Sequence, residues 1–291
     1  MKTYISTGGW RKSSAFECCD YLLSHGFNNI ELTAGKWDNA LYADEDNVKK
    51  KLQSYSKHAN LLLHNYFPPR EDKLVLNLAS SNQRVWDQTL EHFRRLIRLS
   101  DSANSRYISI HAGFLSDPDE KDLDPKGSGF TGTGLTSYKK ACVNFITGCD
   151  ALKDYGMKFG VNLLIENNVC TKSNYNRHGF SPFIFSGFRE SIEFAKLLPK
   201  ECGILLDIGH LNVSSTTIGY SGTNLIKEIK DKIMALHLSH NNGLIDSNNS
   251  LEETTSYLQE VKKISCKYST LEVYDYNPSI LRNCVKLAES S

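Results

Sequence analysis

Six short apolar runs in this 291-residue chain end at or beside a carboxylate or an imidazole. Leu61-Leu62-Leu63 leads into His64, Ile108-Ser109-Ile110 into His111, and Leu163-Leu164-Ile165 into Glu166-Asn167-Asn168. Leu205-Leu206 leads into Asp207, with His210 three residues on; Ala235-Leu236 leads into His237, with His240 beyond it; Leu271 is followed by Glu272. Taken one at a time, each is an ordinary hydrogen-bonded core or rim residue. As a set, so many acids and imidazoles are costly to bury together unless they are paired or share a cation. A hard or borderline divalent metal accepts mixed oxygen and nitrogen donors of this kind. The chemistry this implies is Lewis-acid polarisation of a substrate oxygen, with carboxylates moving protons beside it.

Side chains so far apart in sequence meet only if the elements carrying them converge. The apolar runs predict strands at Thr3–Ser6, Asn29–Leu32, Leu61–His64, Tyr107–His111, Val161–Glu166, Ile204–Asp207, Ala235–Leu238 and Thr270–Val273. Most are short and rich in Ile, Leu and Val, the pattern of strands buried on both faces. Amphipathic stretches between them predict helices, among them Ser13–His25, Val85–Ser100, Ser137–Tyr155, Phe188–Leu198 and Leu251–Lys267. Ser13-Ser14 and Gly26 bracket the first of these as an N-cap and a C′ glycine. Strand and helix alternate throughout, which implies parallel strands joined by right-handed crossovers. The expected fold is α/β, one (β/α)8 TIM-barrel domain over residues 1–291, with an open doubly wound sheet as the alternative. Gly8-Gly9-Trp10 follows the first strand where a dinucleotide fingerprint would stand. Gly127–Gly134 is Gly-rich but lacks the Lys-Ser or Lys-Thr of a phosphate loop, and reads as a flexible lid. In a closed barrel all the C-terminal strand ends share one face, where barrel active sites are built.

Composition narrows the field. Thirty-four basic against 33 acidic side chains leave a formal net charge of +1, so no global field draws the protein to nucleic acid or an anionic membrane. An apolar fraction of 40% is ordinary for a globular chain, and no apolar run is long enough to span a bilayer. The eight cysteines form no C-x-x-C pair, and the N-terminus lacks the apolar core of a signal peptide. A cytoplasmic enzyme with buried, non-catalytic thiols is expected.

At the polar strand ends the sequence resembles the xylose-isomerase-like barrel superfamily, which includes sugar isomerases, ketose 3-epimerases and the endonuclease IV type of DNA-repair enzyme. The likeness runs from the first strand through Glu272. In the epimerase branch it implies that Glu166, Asp207, His237 and Glu272 bind one divalent ion, commonly manganese, with zinc, magnesium or cobalt as alternatives. It further implies that Glu166 and Glu272 act as an acid–base pair on either side of the substrate carbon, with His210 orienting a hydroxyl. The endonuclease branch is echoed by His64, by Val75-Leu76-Asn77-Leu78-Ala79-Ser80 and by His111. There the resemblance implies a second ion on His64 and His111, bridged by Glu166. Its third site needs the histidine matching His210 and a later Asp-x-His, but this chain has Asp246-Ser247-Asn248. His237-Leu-Ser-His240 also departs from the superfamily's common His-Leu-x-Asp. Both departures argue against a complete trinuclear phosphodiesterase site.

Two chemistries compete. Isomerisation or epimerisation of a free or phosphorylated sugar would run through a metal-stabilised enediolate, with His64, His111, Asn168, His240 and Trp10 as substrate contacts. Metal-assisted phosphodiester hydrolysis would need a DNA-facing surface, and the acidic run Asp117, Asp119, Glu120, Asp122 and Asp124 disfavours one. An oxidase on the same scaffold is a third class. The expected partner is a small carbohydrate, and assembly into a homo-oligomer is compatible with the fold. The loops Ala112–Gly134 and Asn167–Ser186 are placed to shape specificity, the latter through Tyr175, His178, Phe180, Phe183 and Phe185. Trp10 and Trp37 follow the first two strands and are candidates for a pocket wall.

Overall fold

The apolar runs form β1 (Lys2–Ser6), β2 (Asn29–Leu32), β3 (Asn60–His64), β4 (Tyr107–His111), β5 (Asn162–Glu166), β6 (Gly203–Asp207), β7 (Ile233–Leu238) and β8 (Tyr268–Leu271). All are parallel, each pairs with the next, and β8 pairs back onto β1, so the sheet is a closed barrel and not an open one. The computed structural model describes residues 1–10, 13–33, 35–119, 130 and 134–290. Around the barrel lie α1 (Ala15–Ser24), α2 (Asn39–Tyr42), α3 (Glu45–Tyr55), α4 (Gln83–Ser102), α5 (Tyr138–Met157) and α6 (Lys172–His178). They are followed by α7 (Phe188–Leu197), α8 (Ile208–Ile218), α9 (Gly222–Ile229), α10 (Leu258–Val261) and α11 (Pro278–Glu289). No helix among the described residues is long and apolar enough to cross a membrane.

The first helix shows how local chemistry sets an element's ends. Ser14 accepts the Glu17 N–H (3.2 Å) at its start, and Gly26 takes a left-handed φ of +82° just past its end. Elsewhere two expectations need correction. The helix expected over Leu251–Lys267 shrinks to the single turn of α10. Leu251 N–H is donated to Cys284 Sγ (3.3 Å), Glu252 N–H to Thr255 Oγ1 (2.9 Å), and Tyr257 is left-handed (φ 63°), so helix propagation stops there. Strand eight ends at Leu271, which leaves Glu272 as the first residue beyond it. The glycine-rich segment expected to be a lid lies largely outside the described residues.

One apolar core fills the space between barrel and helices, and a second plugs the barrel's lower half with Tyr4, Leu62, Leu164, Leu205, Ala235 and Tyr268. All eight cysteines are free, seven of them buried. Burial pushes Cys18 and Cys202 up to about 12 and Cys142 and Cys170 up to about 11, so these thiols stay protonated at neutral pH.

His92 on α4 ties the outer layer to the strand ends. Its Nε2 donates to Asn65 O (3.0 Å), while Asn65 Oδ1 accepts the His111 N–H (3.2 Å). Burial, assisted by the Arg70 guanidinium, pushes His92 down to about 3. A histidine in the unfolded chain titrates near ~6.5, so below that pH the unfolded state binds the extra proton. The stability tied to neutral His92 is therefore complete above pH ~6.5 and is lost as pH falls toward about 3, by up to about 1.4 kcal/mol per pH unit. Denaturant titrations of wild type and His92→Gln across this window should show a shallower acid-side decline in the variant. Equal slopes would refute the assignment.

Candidate metal centre

Side chains alternate between the two faces of a strand, so residues two apart share the barrel interior. Starting from the apolar plug, the next inward positions are Ser6 after Tyr4, His64 after Leu62, Glu166 after Leu164, Asp207 after Leu205, and His237 after Ala235. Thr270 and then Glu272 follow Tyr268 in the same way. The result is a buried polar tier directly above an apolar one. A register shift between β6 and β7 completes it. Ile204 pairs with Ile233 but Leu205 with Ala235, so the extra residue Met234 brings inward-facing Asp207 level with inward-facing His237. Gly203 makes room, because a Cβ there would lie 2.4 Å from Met234 Sδ.

Glu166 is the hub of this tier. Its Oε2 is 2.7 Å from His64 Nε2 and 3.7 Å from His111 Nδ1; its Oε1 is 3.2 Å from His237 Nδ1 and 3.6 Å from His210 Nδ1. His237 Nδ1 also lies 3.9 Å from Asp207 Oδ2 and 3.7 Å from Glu272 Oε1. Glu166, Asp207, His237 and Glu272 thus present four donor atoms within 4.8 Å of one another, and His64, His111 and Glu166 present a second such group. Glu166 Oε1, Asp207 Oδ2 and His237 Nδ1 are sealed from solvent without a hydrogen-bond partner. Buried polar atoms without partners are expensive, and three potential ligand atoms that converge fit a cation.

The spacing from Asp207 to His210 has a mechanical cause. Asp207 is the N-cap of α8, and its Oδ1 accepts the His210 N–H (2.7 Å), which leaves Oδ2 for the cluster. Asn167 clamps this corner: its Oδ1 accepts Asp207 N–H (2.8 Å), its Nδ2 donates to Asp207 O (3.0 Å), and its carbonyl accepts His210 Nδ1–H (2.8 Å).

Charge follows the same geometry. Burial alone would raise the Glu166 carboxyl, but the imidazoles around it hold it well below the usual carboxylate range. His111, His237 and His64 supply that effect, while burial pushes the His111 ring itself down to about 3. Burial and the neighbouring carboxylates raise Asp207 to about 7, and burial raises Glu272. His237 rises well above the usual imidazole value: burial opposes this, but Glu31 and Glu166 on either side of the ring prevail.

Other residues singled out from the sequence are committed elsewhere. Asn168 Nδ2 donates to Ala112 O (2.7 Å), Gly113 O (3.2 Å) and Ile184 O (2.9 Å), so it fastens loops instead of facing a substrate. His240 exchanges backbone hydrogen bonds with Asn249, and its ring meets Thr255 Oγ1 (3.3 Å). Trp10 packs against Tyr21 and Tyr276, and Trp37 lies 6.0 Å from Tyr42. Phe183 packs edge-on against Phe114 and Phe130, sewing together the two loops that were expected to shape specificity. Of the acidic run, Asp117 is bonded by Asn77 and Ser80, and residues 120–129 lie outside the described residues.

The sequence reading missed Glu31, which is fully buried on β2, 3.0 Å from His237 Nε2. It stands inside Asn-Ile-Glu-Leu, not at the end of an apolar run. The period-two alternation that follows Tyr4 to Ser6 would have found it, because Ser6 pairs with Glu31.

A family model described as a xylose isomerase-like TIM barrel matches residues 19–260. Among solved structures, a D-tagatose 3-epimerase-like protein superposes with a TM-score of 0.70 at 18% identity, over 99% of this chain and 98% of that one. A 3-keto-D-glucoside 4-epimerase from E. coli superposes at 0.65 with 10% identity, over the whole of both chains. The IOLI protein with a bound zinc atom superposes at 0.66 with 12% identity, over 99% of this chain and 95% of that one. No curated protein matches the chain by sequence. At such identities the structural likenesses establish the fold alone. The closed barrel and a family match across most of the length make this chain a member of the xylose isomerase-like TIM barrel family.

Proposed function

We propose that this protein is a divalent-metal-dependent sugar isomerase or epimerase, with Glu166, Asp207, His237 and Glu272 as the ligand set. The convergence of three unpartnered buried donors from these residues carries the proposal, with Glu272 close beside them. Two relatives in fold act on sugars by name, a D-tagatose 3-epimerase-like protein and a 3-keto-D-glucoside 4-epimerase, which supports a carbohydrate substrate. When bound, the cation supplies a Lewis acid for a carbonyl and its neighbouring hydroxyl.

The chain's residues supply the rest. Glu166 and Glu272 reach the cluster from β5 and from beyond β8, so a sugar between them meets a carboxylate from two directions. One removes the proton α to the carbonyl and the other returns a proton, which inverts or relocates the centre. His210, held through Nδ1 by Asn167 and with Nε2 3.4 Å from Asp246 Oδ2, would orient a substrate hydroxyl. His64 and His111 line the same wall as substrate contacts. Their grouping with Glu166 is the observation favouring a second reading, a two-ion phosphodiesterase or oxidase. The free, buried thiols suit a reducing compartment such as the cytoplasm.

Elemental analysis of purified protein separates the readings. One tightly held ion per chain is expected, and Asp207→Asn should lose it; two ions that require His64 and His111 would support the alternative. Activity is read from ketoses incubated in heavy water, with deuterium incorporation beside the carbonyl followed by NMR. Glu166→Gln and Glu272→Gln should each lower exchange by ~100-fold or more while keeping the wild-type circular dichroism. Wild-type exchange in either variant would overturn the acid–base assignment.

A further inference from the structure

We propose that Glu31 is a positioning residue for the metal centre: it pairs with His237 Nε2 and presents Nδ1 as the nitrogen that faces the cation. The inference rests on the metal-dependent reading above and adds a residue outside the ligand set.

His237 is completely buried, with acids on both edges of its ring. On the Nδ1 edge stand Glu166 (3.2 Å), Asp207 (3.9 Å) and Glu272 (3.7 Å); on the Nε2 edge, among the described residues, Glu31 is the one acid (3.0 Å). Neither ring nitrogen is aligned for a full hydrogen bond, and Glu31 Oε1 is likewise unpartnered. The other Glu31 oxygen is occupied, because Thr270 Oγ1 donates to Oε2 (3.1 Å). Thr270 is level with His237 in the sheet, so hydroxyl, carboxylate and ring form a connected set on β8, β2 and β7. A neutral imidazole has one N–H and one lone pair. A carboxylate at Nε2 keeps the N–H there and leaves the lone pair at Nδ1, among the three other acids. Ligating histidines commonly donate their second N–H to a carboxylate in this way, which fixes ring orientation and raises basicity.

Glu31 also adds a negative charge to a site already crowded with carboxylates. The contact to the His237 ring is present with or without a cation, so the positioning role is read from metal binding and not from stability. Chelator-stripped wild type, Glu31→Gln and Thr270→Val are titrated with Mn2+ by calorimetry, melted without metal, and loaded with Co2+ for visible spectra. Glu31→Gln should bind Mn2+ about 10- to 100-fold more weakly and shift the Co2+ bands, beyond what any fall in metal-free Tm accounts for. Thr270→Val, which only frees Glu31 to turn, should weaken binding several-fold, and it keeps the test decisive if Glu31→Gln does not fold. Wild-type affinity and spectra in the variants, or loss of affinity that only tracks a fall in metal-free Tm, would overturn the role of Glu31. Failure of the wild type itself to bind either ion would instead overturn the metal reading on which it rests.

Discussion

The structure is organised around a buried concentration of like charge. Glu31, Glu166, Asp207 and Glu272 are all buried at one level of the barrel, with His237 among them. Removing a single ion from water costs several kcal/mol even after relaxation, and crowding carboxylates adds mutual repulsion. Imidazoles offset part of this, but three donor atoms still face one another without partners. The proposed divalent cation would resolve the conflict, and the surrounding residues hold these groups in register for it.

The scaffold meets that demand with rigid parts. The apolar tier below the cluster excludes water from beneath, which strengthens every electrostatic interaction above it. The shift at Met234 aligns β6 with β7, and Asn167 locks the Asp207 corner to β5. Outside the cluster, Asn77 accepts Phe114 N–H (3.0 Å), and a Cβ on Gly113 would come within 2.4 Å of Ala79 Cβ. Only glycine allows that approach, so the loop after β4 is pinned beside the mouth.

Much of the fold was legible in the sequence because buried parallel strands leave dense apolar runs, and most predicted strands lie within one or two residues of those observed. The Leu251–Lys267 helix failed because amphipathic spacing was present while side-chain hydrogen bonds at Leu251 and Glu252 and the left-handed Tyr257 terminated it. Residues at the ends of apolar runs met in one cluster because strand ends converge, which made His64, Glu166, Asp207 and His237 visible from spacing. Glu31 was hidden because an isolated acid inside a strand looks like a solvent-facing position until the barrel's inward register is known. Asn167 and Asn168 are adjacent and chemically identical, and only coordinates show that the first clamps Asp207 while the second fastens loops.

Family membership and closed-barrel geometry leave the nature of the chemistry to the occupant of the cluster. Anomalous diffraction from crystals soaked in Mn2+ tests this most directly. The account predicts a strong peak about 2.0–2.3 Å from carboxylate oxygens of Glu166, Asp207 and Glu272 and from Nδ1 of His237. No peak among those four side chains, or a lone peak bound elsewhere on the molecule, would contradict it.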